Sequence, residues 1–410
     1  MEIKAIKTLI NLTSIQKQQY NKYIISGNTV TEDFVFTKKL RSIFLKFHEE
    51  WIFMEDIRFE QTKELKAKPD VSKIGFGTKF ADYMFEMDFN QEQGWHDPRI
   101  VPYRDISVSP ANTTLHYGQA IFEGMKAFRT VDDRIVVFRP LDHINRLNRS
   151  AKILDIPQVN VDLVHQALRK LIEIEKDWVP VGKGRSLYIR PFIFATDPYL
   201  GVSVSATYKM MIILSPVAAY YAHGFSPVKI MVEDKYVRAV IGGLGEAKTP
   251  ANYAASLHAG LVAHEKGYDQ TLWLDGVHRK YIEEVGSMNI LFKIKGEIVT
   301  PALCGSILAG ITRKTVLAVA KEWGVPTSER RISIDEVHDA YKNGDLEEVF
   351  GSGTAAVISP VGELCYKGEK MVINDGKIGP FAQKMFDHIT GLQGGEIPDT
   401  LGLVEEVTKL

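Results

Sequence analysis

Apolar residues are arranged in two ways along the chain. β-Branched and aromatic residues concentrate in "RIVVFRP" (134–140) and "SLYIRPFIFAT" (186–196), which predicts strands. In "LDHINRLNRSAKIL" (141–154) and "VDLVHQALRKLIEIEKDWV" (161–179) they recur at helical spacing instead. The stretch "SPVAAYYAHGFSPVK" (215–229) lies between two Ser-Pro pairs and reads as a connection. Beyond it strands and helices alternate: "KIMVEDKYVRAV", a helix after Lys248, "QTLWLD", "YIEEVGSMNILFKIKGEIVTP", then the helix "TRKTVLAVAKEW". The expected fold class is α/β or α+β in two domains: a smaller α/β N-terminal domain at 54–218, a linker at 219–228 and a larger strand-rich domain at 229–410. Residues 1–53 are rich in Ile, Lys, Asn and Gln with weak periodicity. They read as an extension, loosely ordered or an upstream over-assignment of a start at Met54, and they lack the pattern of a secretory signal.

Composition narrows the classes. A chain of 410 residues is too long for one core, which agrees with two domains. Apolar residues make up 45% and charged residues 25%, as in globular proteins, and the formal net charge of −1 offers nothing for nucleic acid or an anionic membrane. Two cysteines, Cys304 and Cys365, form no C-x-x-C pair, so a cytoplasmic protein without disulfides is expected. Eleven histidines show no metal-ligand spacing, so no bound metal is expected, and no apolar run is long enough to span a bilayer.

The chemistry centres on "GGLGEAKTPANYAASLHAG" (242–260). Thr249 reads as an N-cap and Pro250 as the first helical residue. Tyr253, Leu257 and Leu261 follow at four-residue spacing, and Gly267 closes the segment as an amphipathic helix. Lys248 therefore stands at a helix entrance behind a glycine-rich run. It is either a solvated loop lysine or a nucleophilic amine, since no phosphate-loop motif is satisfied. Gly310-Ile311-Thr312 opens a helix whose free N–H groups suit an anion, with a plain cap by Thr312 as the alternative. Gly351-Ser352-Gly353-Thr354 forms either an anion-binding nest or a tight turn. Two anion sites and a lysine suggest a ligand with a phosphate and an aldehyde, which describes pyridoxal 5'-phosphate. Its ring nitrogen needs an acid, for which Glu283 and Glu284 are candidates. Strand alternation lets only one face the site and leaves the other in solvent. Arg146 or Arg149 is a candidate for gripping the phosphate.

"LHYGQAIFEGMKAFR" (115–129), "YIRP" (188–191), "AKTPANYA" (247–254), "EEVGSMNILF" (283–292), "AGITR" (309–313) and "GSGTAA" (351–356) together resemble the branched-chain-amino-acid aminotransferases. These belong to the class IV, or fold-type IV, pyridoxal-phosphate enzymes, whose C-terminal domain is barrel-like. The resemblance runs from about Ile57 to the C-terminus. It implies that Lys248 is the Schiff-base lysine and proton carrier, that Tyr253 bonds the cofactor's phenolic oxygen, and that Glu284 rather than Glu283 meets the ring nitrogen. Arg146, Ile311, Thr312 and Thr354 would hold the phosphate, and the Thr354-Ala355 backbone the substrate carboxylate. Phe76, Tyr117, Phe122, Tyr188 and Ala355 would line an apolar side-chain pocket, with Arg190 for the distal carboxylate of glutamate. A homodimer is implied, "YLGV" (199–202) placing Leu200 and Val202 near the partner's site. The implied reaction moves the amino group of L-leucine, L-isoleucine or L-valine to 2-oxoglutarate, giving L-glutamate. D-Amino-acid aminotransferase, aminodeoxychorismate lyase and a non-catalytic homologue are the alternatives. Mammalian members carry a C-x-x-C pair after the "GTA" turn. Here "TAAVISP" has no cysteine, so thiol control at that position is not expected.

Overall fold

A computed structural model describes residues 57–70, 74–218 and 225–410. The expected extension 1–53 and part of the expected linker lie outside these residues. Within the described residues the strands form two sheets.

The first sheet uses β1 (Arg58–Phe59), β2 (Tyr83–Asn90), β3 (Gly94–Pro102), β4 (Ala120–Phe122), β5 (Met125–Arg129), β6 (Arg134–Phe138), β7 (Ser186–Ala195) and β8 (Tyr208–Val217). Its order runs β1-β3-β2-β8-β7-β5-β6, with β4 also on β7. The short α1 (Thr113–Tyr117) precedes β4, while α2 (Pro140–Ile153) and α3 (Val161–Ile174) follow β6. The apolar stripes of α2 and α3, Leu147, Ala151, Val164, Leu168 and Leu171, are fully buried in one core with Phe85, Met87, Ile121, Ile189 and Ile212 from the strands. This is the period-3.6 face of each helix meeting the period-2 face of a sheet. The segment 161–179 expected as one helix stops at Ile174 and continues as a short 3-10 turn at Lys176–Trp178.

The second sheet uses β9 (Val228–Glu233), β10 (Gln270–Leu274), β11 (Ile282–Val285), β12 (Met288–Ile294), β13 (Glu297–Pro301), β14 (Thr327–Arg330), β15 (Leu346–Gly353), β16 (Val357–Tyr366) and β17 (Glu369–Val372). Strands β11-β10-β9-β16-β15-β12 are neighbours in that order, and β12 pairs back onto β11 through Glu284↔Asn289 and Val285↔Met288. These six strands therefore close into a barrel, the strand-rich, barrel-like unit that the resemblance implied. Around it lie α4 (Pro250–Glu265), α5 (Ile311–Glu322), α6 (Ile334–Lys342) and α7 (Pro380–Gly394). The final strand β18 (Val404–Lys409) leaves the barrel region and pairs antiparallel with β6 in the first sheet, Val404 opposite Phe138. The end of the chain thus joins the sheet of the N-terminal half, while Leu403 and Val404 pack in one core with Leu291, Ile298 and Phe350.

Two local expectations change. "KIMVEDKYVRAV" is a strand only to Glu233, whose carboxylate accepts the N–H groups of Lys235 and Tyr236 at 2.7 and 2.9 Å and turns the chain. In α4 the four-residue stripe is not the buried face. Leu257 and Leu261 are 71% and 56% exposed, while Asn252, Ala259 and Ala263 are buried. Small residues let this helix lie close on the barrel, and that close approach turns its leucines outward. Among the described residues no helix is long and apolar enough to cross a membrane.

Candidate active site

A cavity of about 200 Å³ lies between the two sheets and is walled from both. The first half contributes Phe76, Phe122, Gly124, Arg146, Tyr188 and Arg190. The second contributes Lys248, Tyr253, Glu284, Asn289, Ile311, Thr312, Thr354 and Ala355.

Lys248 enters on the connection before α4. Its backbone N–H donates to Ser150 Oγ on α2 at 2.9 Å, and its carbonyl accepts the N–H of Phe122 at 2.9 Å. Upstream, Gly245 passes so close to Ser306 that a Cβ would lie 2.2 Å from the Ser306 carbonyl oxygen, so the approach requires glycine. The N-cap Thr249 spends its hydroxyl on the Ala120 carbonyl at 2.8 Å instead of on its own helix. The loop is pinned to the first sheet on both sides, which fixes where the lysine points. Its Nζ donates to Tyr253 Oη at 2.7 Å, and Phe122 lies 4.9 Å from the ammonium. The amine is thereby held in the cavity, not solvated on a loop.

Glu284 and Glu283 are both buried on β11. Glu284 faces the cavity. Its Oε1 accepts the Leu308 N–H at 2.8 Å and the Asn289 amide at 3.4 Å, and its Oε2 lies 3.2 Å from Arg238 Nε as a charge contact. Burial pushes the Glu284 carboxyl above the ordinary carboxylate range, while the Arg238 guanidinium opposes the shift. Glu283 was expected in solvent; the structure buries it instead. It takes the hydroxyl of Ser306, and its Oε2 has no hydrogen-bond partner. Both faces of this barrel strand are covered, so alternation separates two buried environments here.

Arg146 is buried on α2 and Arg149 is exposed. The Arg146 guanidinium makes a forked pair with Glu123, Nε to Oε1 at 2.7 Å and Nη2 to Oε2 at 2.9 Å, and gives Nη1 to the Ala309 carbonyl at 3.0 Å. Glu123 also meets His143 Nδ1 at 2.8 Å. The next residues after Ala309 open α5, where the N-cap is Gly310 with no side-chain cap, so Thr312 does not act as the cap. Ile311 and Thr312 line the cavity at this helix start, opposite the Thr354–Ala356 turn between β15 and β16. An arginine, a helix N-terminus and a turn thus face one end of the cavity, a suitable place for an anion.

Although burial disfavours the Glu123 charge, the Arg146 guanidinium outweighs it and holds this carboxyl well below the usual range. Glu123→Gln should therefore leave a buried guanidinium without its counter-charge and cost about 3–5 kcal/mol, measured by urea unfolding. In the wild type this contribution is complete above the ordinary glutamate value of 4.5 and is lost as the pH falls through the lower folded-state value. A Gln variant as stable as the wild type at pH 7 would remove this role.

The other end is aromatic. Phe76 meets Tyr188 edge-on at 4.8 Å, and Phe122 meets Tyr253 at 5.0 Å. Arg190 lies 4.7 Å over Phe122 and donates Nη2 to Tyr188 Oη at 2.9 Å. A Cβ at Gly124 would lie 2.0 Å from Tyr188 Oη, so only glycine leaves room for this wall. Two residues that line the cavity, Arg190 and Ser352, each hold a buried polar atom, Nε and Oγ, with no hydrogen-bond partner. Such groups suit a polar ligand.

The structure thus brings together Phe76, Phe122, Arg146, Tyr188, Arg190, Lys248, Tyr253, Glu284, Ile311, Thr312, Thr354 and Ala355. Tyr117 is the exception. It ends α1, is 45% exposed, and donates its hydroxyl to the Leu200 carbonyl, away from the cavity lining. Leu200 and Val202 are 59% and 84% exposed beside it. The helix end that carries Tyr117 directs it to that loop and not inward. The sequence reading missed Glu123, His143, Arg238 and Asn289. An acidic residue enclosed in the apolar run "AIFEGM" was the one signal available for Glu123.

The family "Amino-transferase class IV" matches residues 120–364. Branched-chain-amino-acid aminotransferase 2 of Bacillus subtilis is 56% identical over 356 residues, covering 87% of this chain and 98% of its own. Branched-chain-amino-acid aminotransferase of Mycolicibacterium smegmatis is 43% identical, covering 80% and 90%. Among solved structures, the branched-chain amino acid aminotransferase of Escherichia coli superposes with a TM-score of 0.67 at 30% identity, covering 80% of this chain and 99% of its own. The branched-chain aminotransferase of the thermophilic archaeon Thermoproteus uzoniensis, solved with norvaline, superposes with a TM-score of 0.66 at 27% identity, covering 80% and 100%.

Proposed function

Because the chain belongs to the amino-transferase class IV family, we propose that it moves the amino group of L-leucine, L-isoleucine or L-valine to 2-oxoglutarate, using pyridoxal 5'-phosphate held in the cavity between its two sheets. The observation that carries this reading is the pairing of the Lys248 amine with Tyr253 Oη at 2.7 Å in a cavity that also holds a buried carboxylate and an arginine.

The residues present fit the cofactor. Arg146, the start of α5 at Ile311 and Thr312, and Thr354 would hold its phosphate. Glu284 would meet its ring nitrogen, with Arg238 opposing the pull of burial on that carboxylate. Tyr253 would bond its phenolic oxygen. When bound, pyridoxal phosphate supplies an aldehyde that takes the amino group and a protonated ring that draws off electrons from the substrate Cα.

Lys248 Nζ would take the proton from the substrate Cα and return it to the cofactor's aldehyde carbon, two bonds away across the transferred nitrogen, which requires a neutral amine within reach of both atoms. The Tyr253 hydroxyl orients that amine, and the backbone bonds to Ser150 and Phe122 keep the loop from retreating. Backbone N–H groups of the Thr354–Ala356 turn receive the substrate carboxylate. The aromatic wall of Phe76, Phe122 and Tyr188 takes an aliphatic side chain by burial, at roughly 25 cal/mol per Å². Arg190, stacked on that wall with an unpartnered Nε, turns to the distal carboxylate when glutamate or 2-oxoglutarate enters. Tyr117, Leu200 and Val202 lie on an exposed apolar surface that we assign to the contact with a second copy of the chain.

The test is an absorbance spectrum of the cofactor-loaded protein. The visible band should bleach with L-leucine and return with 2-oxoglutarate, and initial rates should give parallel double-reciprocal lines. A band that responds to D-alanine but not L-leucine would overturn the branched-chain reading and favour the D-amino-acid alternative.

A further inference from the structure

Lys126 stands behind the turn that the proposed function gives to the substrate carboxylate. It lies on β5 directly opposite Tyr188 of β7, is 9% exposed, and donates Nζ to the Ala355 carbonyl at 2.7 Å. Ala355 and Ala356 line the candidate cavity; Lys126 does not. It lines instead a second cavity, of about 320 Å³, on the far side of the same turn. The acidic residues of that second cavity are engaged elsewhere, Asp133 with Arg129 at 2.8 Å and Glu396 with Lys183 at 3.6 Å. The ammonium is therefore a buried cation whose partner is a peptide carbonyl, not a carboxylate.

We propose that Lys126 is a positioning residue for the carboxylate end of the substrate, acting through the Ala355–Ala356 peptide. In a trans peptide the C=O and N–H point in opposite directions. Holding the Ala355 carbonyl against Lys126 thus aims the Ala356 N–H the other way, at the candidate cavity. A charge-assisted hydrogen bond is stronger than a neutral one and polarises the peptide it binds, which makes that N–H a better donor. The cation also places positive potential behind a turn that carries no charge of its own. Packing alone does not account for a lysine here, because methionine would fill similar space without the cost of desolvating a charge. Burial pushes this ammonium down to about 8, which leaves it mostly protonated at neutral pH.

This inference rests on the transaminase reading, and its test separates the two. Calorimetry on the cofactor-loaded protein would compare 4-methylpentanoate with 4-methylpentanamide, ligands with the same apolar tail and with or without the charge. Lys126→Met is expected to weaken the carboxylate about tenfold and to change the amide by less than about twofold. The KM for L-leucine should rise in parallel, with kcat little changed, and Lys126→Arg should restore most of the carboxylate affinity. Should the Met variant fail to fold, Lys126→Gln, which keeps a donor to Ala355 and loses only the charge, serves for the same comparison. Equal weakening of both ligands would reduce Lys126 to a structural support for the turn, and unchanged binding of both would remove it altogether. A wild-type protein that binds neither ligand would overturn the transaminase reading, and this inference with it.

Discussion

Lys248→Ala is expected to fold as the wild type does and to lose turnover by roughly 10⁴-fold or more, since on the proposed roles the change removes both the covalent attachment and the general base. The fold should survive because the contacts that fix this loop are made by backbone atoms. The Lys248 N–H bonds Ser150 Oγ, its carbonyl takes the Phe122 N–H, and Thr249 anchors on Ala120. None of these needs the side chain. The end of the cavity proposed for the phosphate, lined by Arg146 and the start of α5, is also left intact. The variant should therefore still bind the cofactor by equilibrium dialysis, though without the covalent link. Steady-state rates with L-leucine and 2-oxoglutarate check the loss. Residual kcat within about tenfold of the wild type would show that another group moves the proton, since a lost general base costs more than that.

The place of Lys248 was legible in the sequence because it stands at a helix start, where local spacing decides geometry, whereas Tyr253 came into the site only through the resemblance, spacing having grouped it with Leu257 and Leu261. A proline at the first helical position and a glycine run before it mark such a start without any knowledge of the rest of the fold. Leu257 and Leu261 show where the same reasoning fails. A four-residue stripe says which residues share a face, but not which face is buried, and here the close fit of Ala259 and Ala263 decided it.

The choice between Glu283 and Glu284 lay at the same boundary. Alternation placed them on opposite faces. Only the closed barrel and the segment around Ser306 determine that the second face is also dry. Arg238 and Glu123 were out of reach for a different reason. Arg238 meets Glu284 across 46 positions and Glu123 meets Arg146 across 23, and a charge in isolation reads as solvated. The return of β18 to β6 is the extreme case, since Val404 finds Phe138 from the opposite end of the chain. The resemblance placed Tyr117 in a substrate pocket, whereas within one chain it is half exposed and bonds the Leu200 carbonyl, a contact set by the loop at 199–202 and not by local spacing.

Glu284→Gln is expected to lower kcat by roughly 10²–10³-fold and to destabilise the fold as well, for two linked reasons. The proposed role of the carboxylate is to keep a proton on the ring nitrogen it faces, and a neutral amide cannot balance that cation. The loss should fall on the step that breaks the substrate Cα–H bond, so replacing that hydrogen by deuterium should slow the variant more than the wild type. The second reason is Arg238. It is buried, its Nε lies 3.2 Å from Glu284 Oε2, and its Nη2 reaches the Ser306 carbonyl. Without the carboxylate, a desolvated guanidinium is left to neutral acceptors, for which removing one partner of a buried pair costs about 3–5 kcal/mol. The two effects separate in Arg238→Met with Glu284 retained. With Arg238 gone, burial acts on the Glu284 carboxyl unopposed by its largest counter-charge and raises its protonation pH further. That variant should share the stability loss, and its slower rate should recover toward the wild type as the pH rises through the raised value. Above that value the carboxylate is charged again and can balance the ring, whereas Glu284→Gln has no such recovery at any pH. A Gln variant with the wild-type rate and isotope effect would assign the ring-nitrogen contact to another residue, whatever happens to its stability.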